Sequence, residues 1–194
     1  MFRRIGLALG SIGLLATVLT GTASAEESPA PQQLGQGLPK VISPAEAESR
    51  IASGGEGVAS GDAFAFANRN SGKCLVVQGR ENGKRAMQYT CGGFWDQRWY
   101  LVGSDLSHVQ VQNANSGKCL VAQGYDTGAQ AFQYTCGNYE DQFWMVSPSG
   151  DGGFNLSNRN SLQCLVVQGM LNGAIPFQYH CENFKDQIWY VPWL

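Results

Sequence analysis

From residue 63 onward, apolar and polar positions alternate in short runs, and each run stops at Gly, Asn or Asp. Residues 63–67, 73–78, 85–90 and 98–102 read as strands rich in Val, Phe, Tyr and Trp. Between them lie Asn68-Arg69-Asn70-Ser71-Gly72, Asn82-Gly83 and Gly92-Gly93, turn residues that adopt positive φ or bond their own backbone. Alternation then assigns faces. Cys74, Val76 and Gln78 point to one side of their strand, with Leu75 and Val77 on the other. On the partner strand Met87, Tyr89 and Cys91 share a side, with Gln88 and Thr90 opposite.

The pattern occurs three times. Shifting Cys74, Leu75, Gln78, Gly79, Gln88, Tyr89, Cys91, Asp96, Gln97 and Trp99 by 45 residues, and by 45 again, lands on the same residue types without an insertion. One structural unit is therefore used three times. Four strands in each unit give about twelve. A closed antiparallel form leaves no exposed sheet edge, and twelve strands in threefold repetition describe an all-β fold, the β-trefoil, over residues 61–194. The repeats fill that whole region, which leaves no length for a separate catalytic domain.

The N-terminal part has a different pattern. Residues 1–25 begin with Arg3 and Arg4, continue through an apolar run from Ile5 to Leu19 and end in Ala23-Ser24-Ala25, the form of a cleaved signal peptide. The protein is expected to be secreted, with no membrane insertion after cleavage. Residues 26–60 are rich in Pro, Gly, Ser, Gln and Glu and lack aromatics, which predicts a mobile, disordered linker. Within it Ser43-Pro44-Ala45-Glu46 carries a helix-start signature, so a short helix over 44–51 is expected.

Composition narrows the chemistry. Cys74, Cys91, Cys119, Cys136, Cys164 and Cys181 all lie in the repeats, one pair per unit. In an exported protein the economical pairing is within units, and each closed loop stabilises by ~3 kcal/mol on the chain-entropy model. Short Cys-x-x-Cys or His spacings are missing, so neither metal nor cofactor is expected. The repeats carry nine basic and ten acidic residues, and no basic stripe points to nucleic acid. His108 and His180 do not recur at the period, and the carboxylates of Asp96, Asp141 and Asp186 come one per unit, so an enzyme is not expected.

Gln97-Arg98-Trp99, Gln142-Phe143-Trp144 and Gln187-Ile188-Trp189, with the run Ser71-Gly72-Lys73-Cys74-Leu75, resemble the ricin-B-type lectin family and its Gln-x-Trp trefoil repeats. Gln97, Trp99, Gln142, Trp144, Gln187 and Trp189 read as structural, the Trp in the core and the Gln tying down a turn. The resemblance implies carbohydrate binding at up to three shallow sites. In that family a site uses an Asp two residues after the first cysteine, an aromatic two before the second, and a polar residue before the Gln of Gln-x-Trp. Tyr89, Tyr134 and Tyr179 fill the aromatic position, and Asp96, Asp141 and Asp186 the last. Val76, Val121 and Val166 stand where the first Asp belongs and accept no hydrogen bond. Gln78, Gln123 and Gln168, two residues along the same face, are the candidates to replace it. The competing reading is a small apolar cluster of Val, Tyr and Met or Phe over each disulfide.

The expected function is a secreted, monomeric, lectin-like protein that binds a glycan or polysaccharide. The alternative is a non-enzymatic trefoil that has lost sugar binding and engages or inhibits a protein partner through its loops. Those loops differ, from the charged Arg80-Glu81-Asn82-Gly83-Lys84-Arg85 to the apolar Met170-Leu171 and Ile175-Pro176, which points to unequal sites.

Overall fold

The computed structural model describes residues 38–53, 63–150 and 152–192. The expected signal peptide and much of the expected linker lie outside these residues. Before the repeats come β1 (Val41–Ile42) and α1 (Pro44–Ala52). Repeat 1 supplies β2 (Ala67–Asn68), β3 (Cys74–Val76), β4 (Met87–Tyr89) and β5 (Trp99–Gly103). Repeat 2 supplies β6 (Val109–Asn113), β7 (Cys119–Ala122), β8 (Ala131–Tyr134) and β9 (Phe143–Pro148). Repeat 3 supplies β10 (Phe154–Asn158), β11 (Cys164–Val166), β12 (Phe177–Tyr179) and β13 (Trp189–Tyr190).

The strands β5, β6, β9, β10, β13 and β2 pair in that order, and paired backbone bonds between Phe64 and Trp99 close the ring into a barrel. The hairpins β3–β4, β7–β8 and β11–β12 branch from it at β2, β6 and β10. This is the β-trefoil, with its twelve strands joined by the additional β1.

Inward-facing residues of all three repeats share one core. Trp99, Trp144 and Trp189 are fully buried among Leu75, Leu120, Leu165, Val77 and Val167. Each indole N–H donates to a leucine carbonyl, Leu75, Leu120 or Leu165, at 3.0 Å, which satisfies the polar atom that burial would otherwise strand. The cysteines pair within units, 74 with 91, 119 with 136 and 164 with 181.

The hairpins interlock around the pseudo-threefold axis through Gln88, Gln133 and Gln178, all fully buried. The Gln133 amide nitrogen donates to the carbonyls of Gly79 and Glu81 in repeat 1, and its oxygen accepts from Ser116 Oγ. Gln178 grips Gly124 and Asp126 in the same way, and Gln88 grips Gly169 and Leu171. Their periodicity is plain in the sequence, but the contacts cross from one repeat to another, which period alone does not show.

Residues 38–53 depart from the mobile linker that composition predicts. β1 pairs in parallel with β5, Val41 beside Leu101 and Ile42 beside Val102. α1 starts where Ser43 Oγ accepts from the Glu46 amide at 3.3 Å, and an ion pair joins Glu46 to Arg50. Ala47 and Ile42 pack on Tyr100 and Val102, the outer residues of β5. The apolar surface hidden there offsets the ordering entropy that the composition appeared unable to meet. Among the described residues, no helix is long and apolar enough to cross a membrane.

Candidate functional site

Outward-facing residues of the same strands gather one patch per repeat. In repeat 2 the β7–β8 register sets Cys119 opposite Tyr134 and Val121 opposite Phe132, while Leu120 and Gln133 turn inward. The chain then returns through a 3-10 helix at Glu140–Gln142. Gln142 is buried there, accepting from the Gly137 amide at 2.7 Å and donating to the Thr135 carbonyl at 3.1 Å. From repeat 3, Asn158 donates to the Asp141 carbonyl at 2.9 Å. These bonds hold Asp141 beside Val121.

The result is a cavity of about 350 Å³ lined by Val121, Gln123, Phe132, Tyr134, Tyr139 and Asp141. Tyr134 is 48 % exposed and Tyr139 67 %. Of the residues singled out in the sequence, Gln123, Tyr134 and Asp141 meet here, with Val121 and Phe132 as an apolar floor beside the disulfide. The same register in the other repeats places Val76 opposite Met87 and Val166 opposite Phe177, next to Tyr89 and Tyr179. Gln97 and Gln187 tie down Asp96 and Asp186 as Gln142 does Asp141. Gln78, Gln123 and Gln168 are exposed, so their amides are open to a ligand.

Tyr139 escapes the sequence reading, as do Phe94 and Phe184 at the same place in the other repeats. All three are exposed aromatics, and their recurrence at the period is the signal that finds them. Glycine assists this ring in two repeats. A Cβ at Gly137 would come within 2.6 Å of the Tyr139 ring, and one at Gly92 would collide with Phe94. Repeat 3 carries Glu182 there.

The carboxylates have an unusual setting. Asp96, Asp141 and Asp186 each bury one oxygen, Oδ1, that has no hydrogen-bond partner among the described residues. Burial raises all three pKa values above 3.8, opposed by a bond from the residue's own backbone amide. Two exposed rings, a partly buried carboxylate and an exposed amide form a surface on which an apolar ring face can stack while its hydroxyls find polar partners.

The sequence matches the model of the ricin-type beta-trefoil lectin domain over residues 62–189. The chain belongs to this family. Its domain is of the carbohydrate-binding type. Among solved structures it resembles ThreeFoil, a designed threefold-symmetric protein, with 28% identity and a TM-score of 0.66 over 68% of this chain and 99% of that one. An exo-beta-1,3-galactanase from Clostridium thermocellum shares 26% identity at a TM-score of 0.65, covering 71% of this chain and 31% of its own. The hemolytic lectin CEL-III shares 26% at 0.54, covering 69% of this chain and 30% of its own. The chain thus spans about a third of the galactanase and the hemolytic lectin. No curated protein matches it.

Proposed function

We propose that this protein is a secreted, monomeric and non-enzymatic glycan-binding protein with three saccharide sites, one per repeat. The observation that carries the reading is the repeat 2 cavity, where Tyr134, Tyr139, Asp141 and Gln123 converge on an apolar floor. A pyranose stacks its CH face on the tyrosines and donates a hydroxyl to the Asp141 carboxylate, which lines the cavity. Gln123 supplies the second polar contact in place of the missing family Asp, and Val121 packs against the ring. The signal-like leader supports export. Three weak sites on one scaffold gain by avidity on a polymer.

A glycan array followed by calorimetry on the best ligand tests this. Tyr134→Ala and Asp141→Asn together remove one of three binding equivalents, while Gln123→Ala weakens that site alone. Absence of binding to any glycan would instead favour a protein-interaction module, for which the exposed Met170 and Leu171 are the observation in favour.

A further inference from the structure

A second cavity, of about 340 Å³, lies outside the threefold pattern. Ile51 and Ala52 at the end of α1 form one wall, Ala114 the floor, and Arg80, Trp95, Asn115 and Ser116 the rest. Three of these positions differ from their equivalents. Trp95 stands where repeats 2 and 3 have Glu140 and Lys185, Arg80 where they have Tyr125 and Met170, and Ala114 where the others have Arg159 and Arg69. The small Ala114 opens the space, and α1 walls it.

The chemistry of the lining is specific. Trp95 is 44 % exposed, a flat apolar platform. The Arg80 guanidinium donates from Nη2 to Asn115 Oδ1 at 3.1 Å, and no carboxylate pairs with it among the described residues. Glu81, the nearest acid in sequence, accepts from the Arg80 backbone amide and pairs with Lys84 instead. The guanidinium thus keeps donors for an anion, in the fork geometry that suits a carboxylate. The opposite wall is the C-terminal end of α1, whose partial negative charge suits hydroxyl donors and keeps an anionic group on the Arg80 side.

We propose that this cavity binds an acidic saccharide, with the carboxylate of a hexuronic acid residue on Arg80 and its ring face on Trp95. It is separate from the three repeat sites and does not depend on their binding sugar.

Calorimetry with trigalacturonic acid and with its methyl ester on the full chain tests the assignment. The acid is expected to bind with one equivalent and the ester not to bind. Arg80→Ala and Trp95→Ala, both at exposed side chains, should each weaken the acid by about tenfold or more, the size of a lost charged hydrogen bond or stacking contact. Tyr134→Ala should leave it unchanged. Equal binding of acid and ester, insensitivity to Arg80→Ala, competition by inorganic phosphate at equal concentration, or no binding of the acid would each overturn the proposal. Loss of neutral glycan binding in Tyr134→Ala with the acid still bound separates this site from the repeat sites.

Discussion

Trp99 and Trp144 occupy the same place in repeats 1 and 2, both fully buried and both bonded to a leucine carbonyl. One residue later the repeats part. Tyr100 is covered by Ile42 and Ala47, whereas Met145 at the equivalent position is only half-buried. The cause lies in a neighbouring turn. Ala114 and Gly117 leave room for Ile51, which would sit 3.3 Å from a Cβ at Gly117. Repeat 3 carries Arg159 and Leu162 at those positions, and Leu162 holds a positive φ of 59°. The barrel interior keeps the same Trp and Leu in all three copies while their apolar neighbours trade size, as at Phe66, Val111 and Leu156, because three copies must interdigitate in a single core. The exterior is free to differ.

The sharpest way to break this comparison is to attack the shared interior. Trp144→Ala is expected to cost about 3–5 kcal/mol in denaturant unfolding, and Trp99→Ala the same within about 1 kcal/mol. A much larger cost at Trp99 would mean that the N-terminal segment is part of the core rather than laid over it. The inter-repeat clamps come next. Gln133→Ala removes the acceptor of Ser116 Oγ and the donor to the Gly79 and Glu81 carbonyls, at a cost of about 2–3 kcal/mol. Gln88→Ala should match it, because its bonds to Ser71, Gly169 and Leu171 are equivalent.

The added exterior should be less costly to lose. Ala47→Arg places a charge in a fully buried position on α1 and should undock residues 38–53 for about 2 kcal/mol, from the apolar area returned to water. Hydrogen exchange is the measurement: Val41 and Ile42 lose protection while β9 and β10 keep theirs. Equal loss in β9 would show that the segment supports the whole barrel.

The trefoil was legible because its evidence is periodic. Buried Trp, paired cysteines and two-residue alternation recur without an insertion, and each constrains the others. The strand part of the patch, Val121, Gln123, Phe132 and Tyr134, was legible for the same reason, since alternation on two paired strands fixes which side chains meet; Asp141, on the 3-10 turn, came only from the family resemblance. Tyr139 went unread because it lies on an irregular turn, where alternation gives no face. The docking of residues 38–53 was hidden by composition. Few of its residues are apolar, but Ile42, Ala47 and Ile51 fall on one side and meet an apolar strand that no local pattern connects to them.

Acid separates the shared site from the shared fold. In the proposed binding mode Asp141 is a carboxylate at neutral pH that accepts a sugar hydroxyl; as pH falls through its raised pKa it takes up a proton and the bond loses its charge. Charge-assisted hydrogen bonds are about twice as strong as neutral ones, so the loss is about 1 kcal/mol, or about fivefold in affinity. Because burial raises this pKa, the proton is taken up at a higher pH than by an ordinary exposed aspartate. Stability runs the other way for the same groups. A carboxyl whose folded pKa exceeds its unfolded one binds protons more readily when folded, so the contribution of Asp96, Asp141 and Asp186 to stability rises as pH drops through the window between the two values. Calorimetry and denaturant unfolding over one pH series should therefore show affinity falling before stability does. Asp141→Asn should flatten the pH dependence at one site in three, and affinity that instead grows in acid would mean that the ligand accepts from Asp141 rather than donating to it.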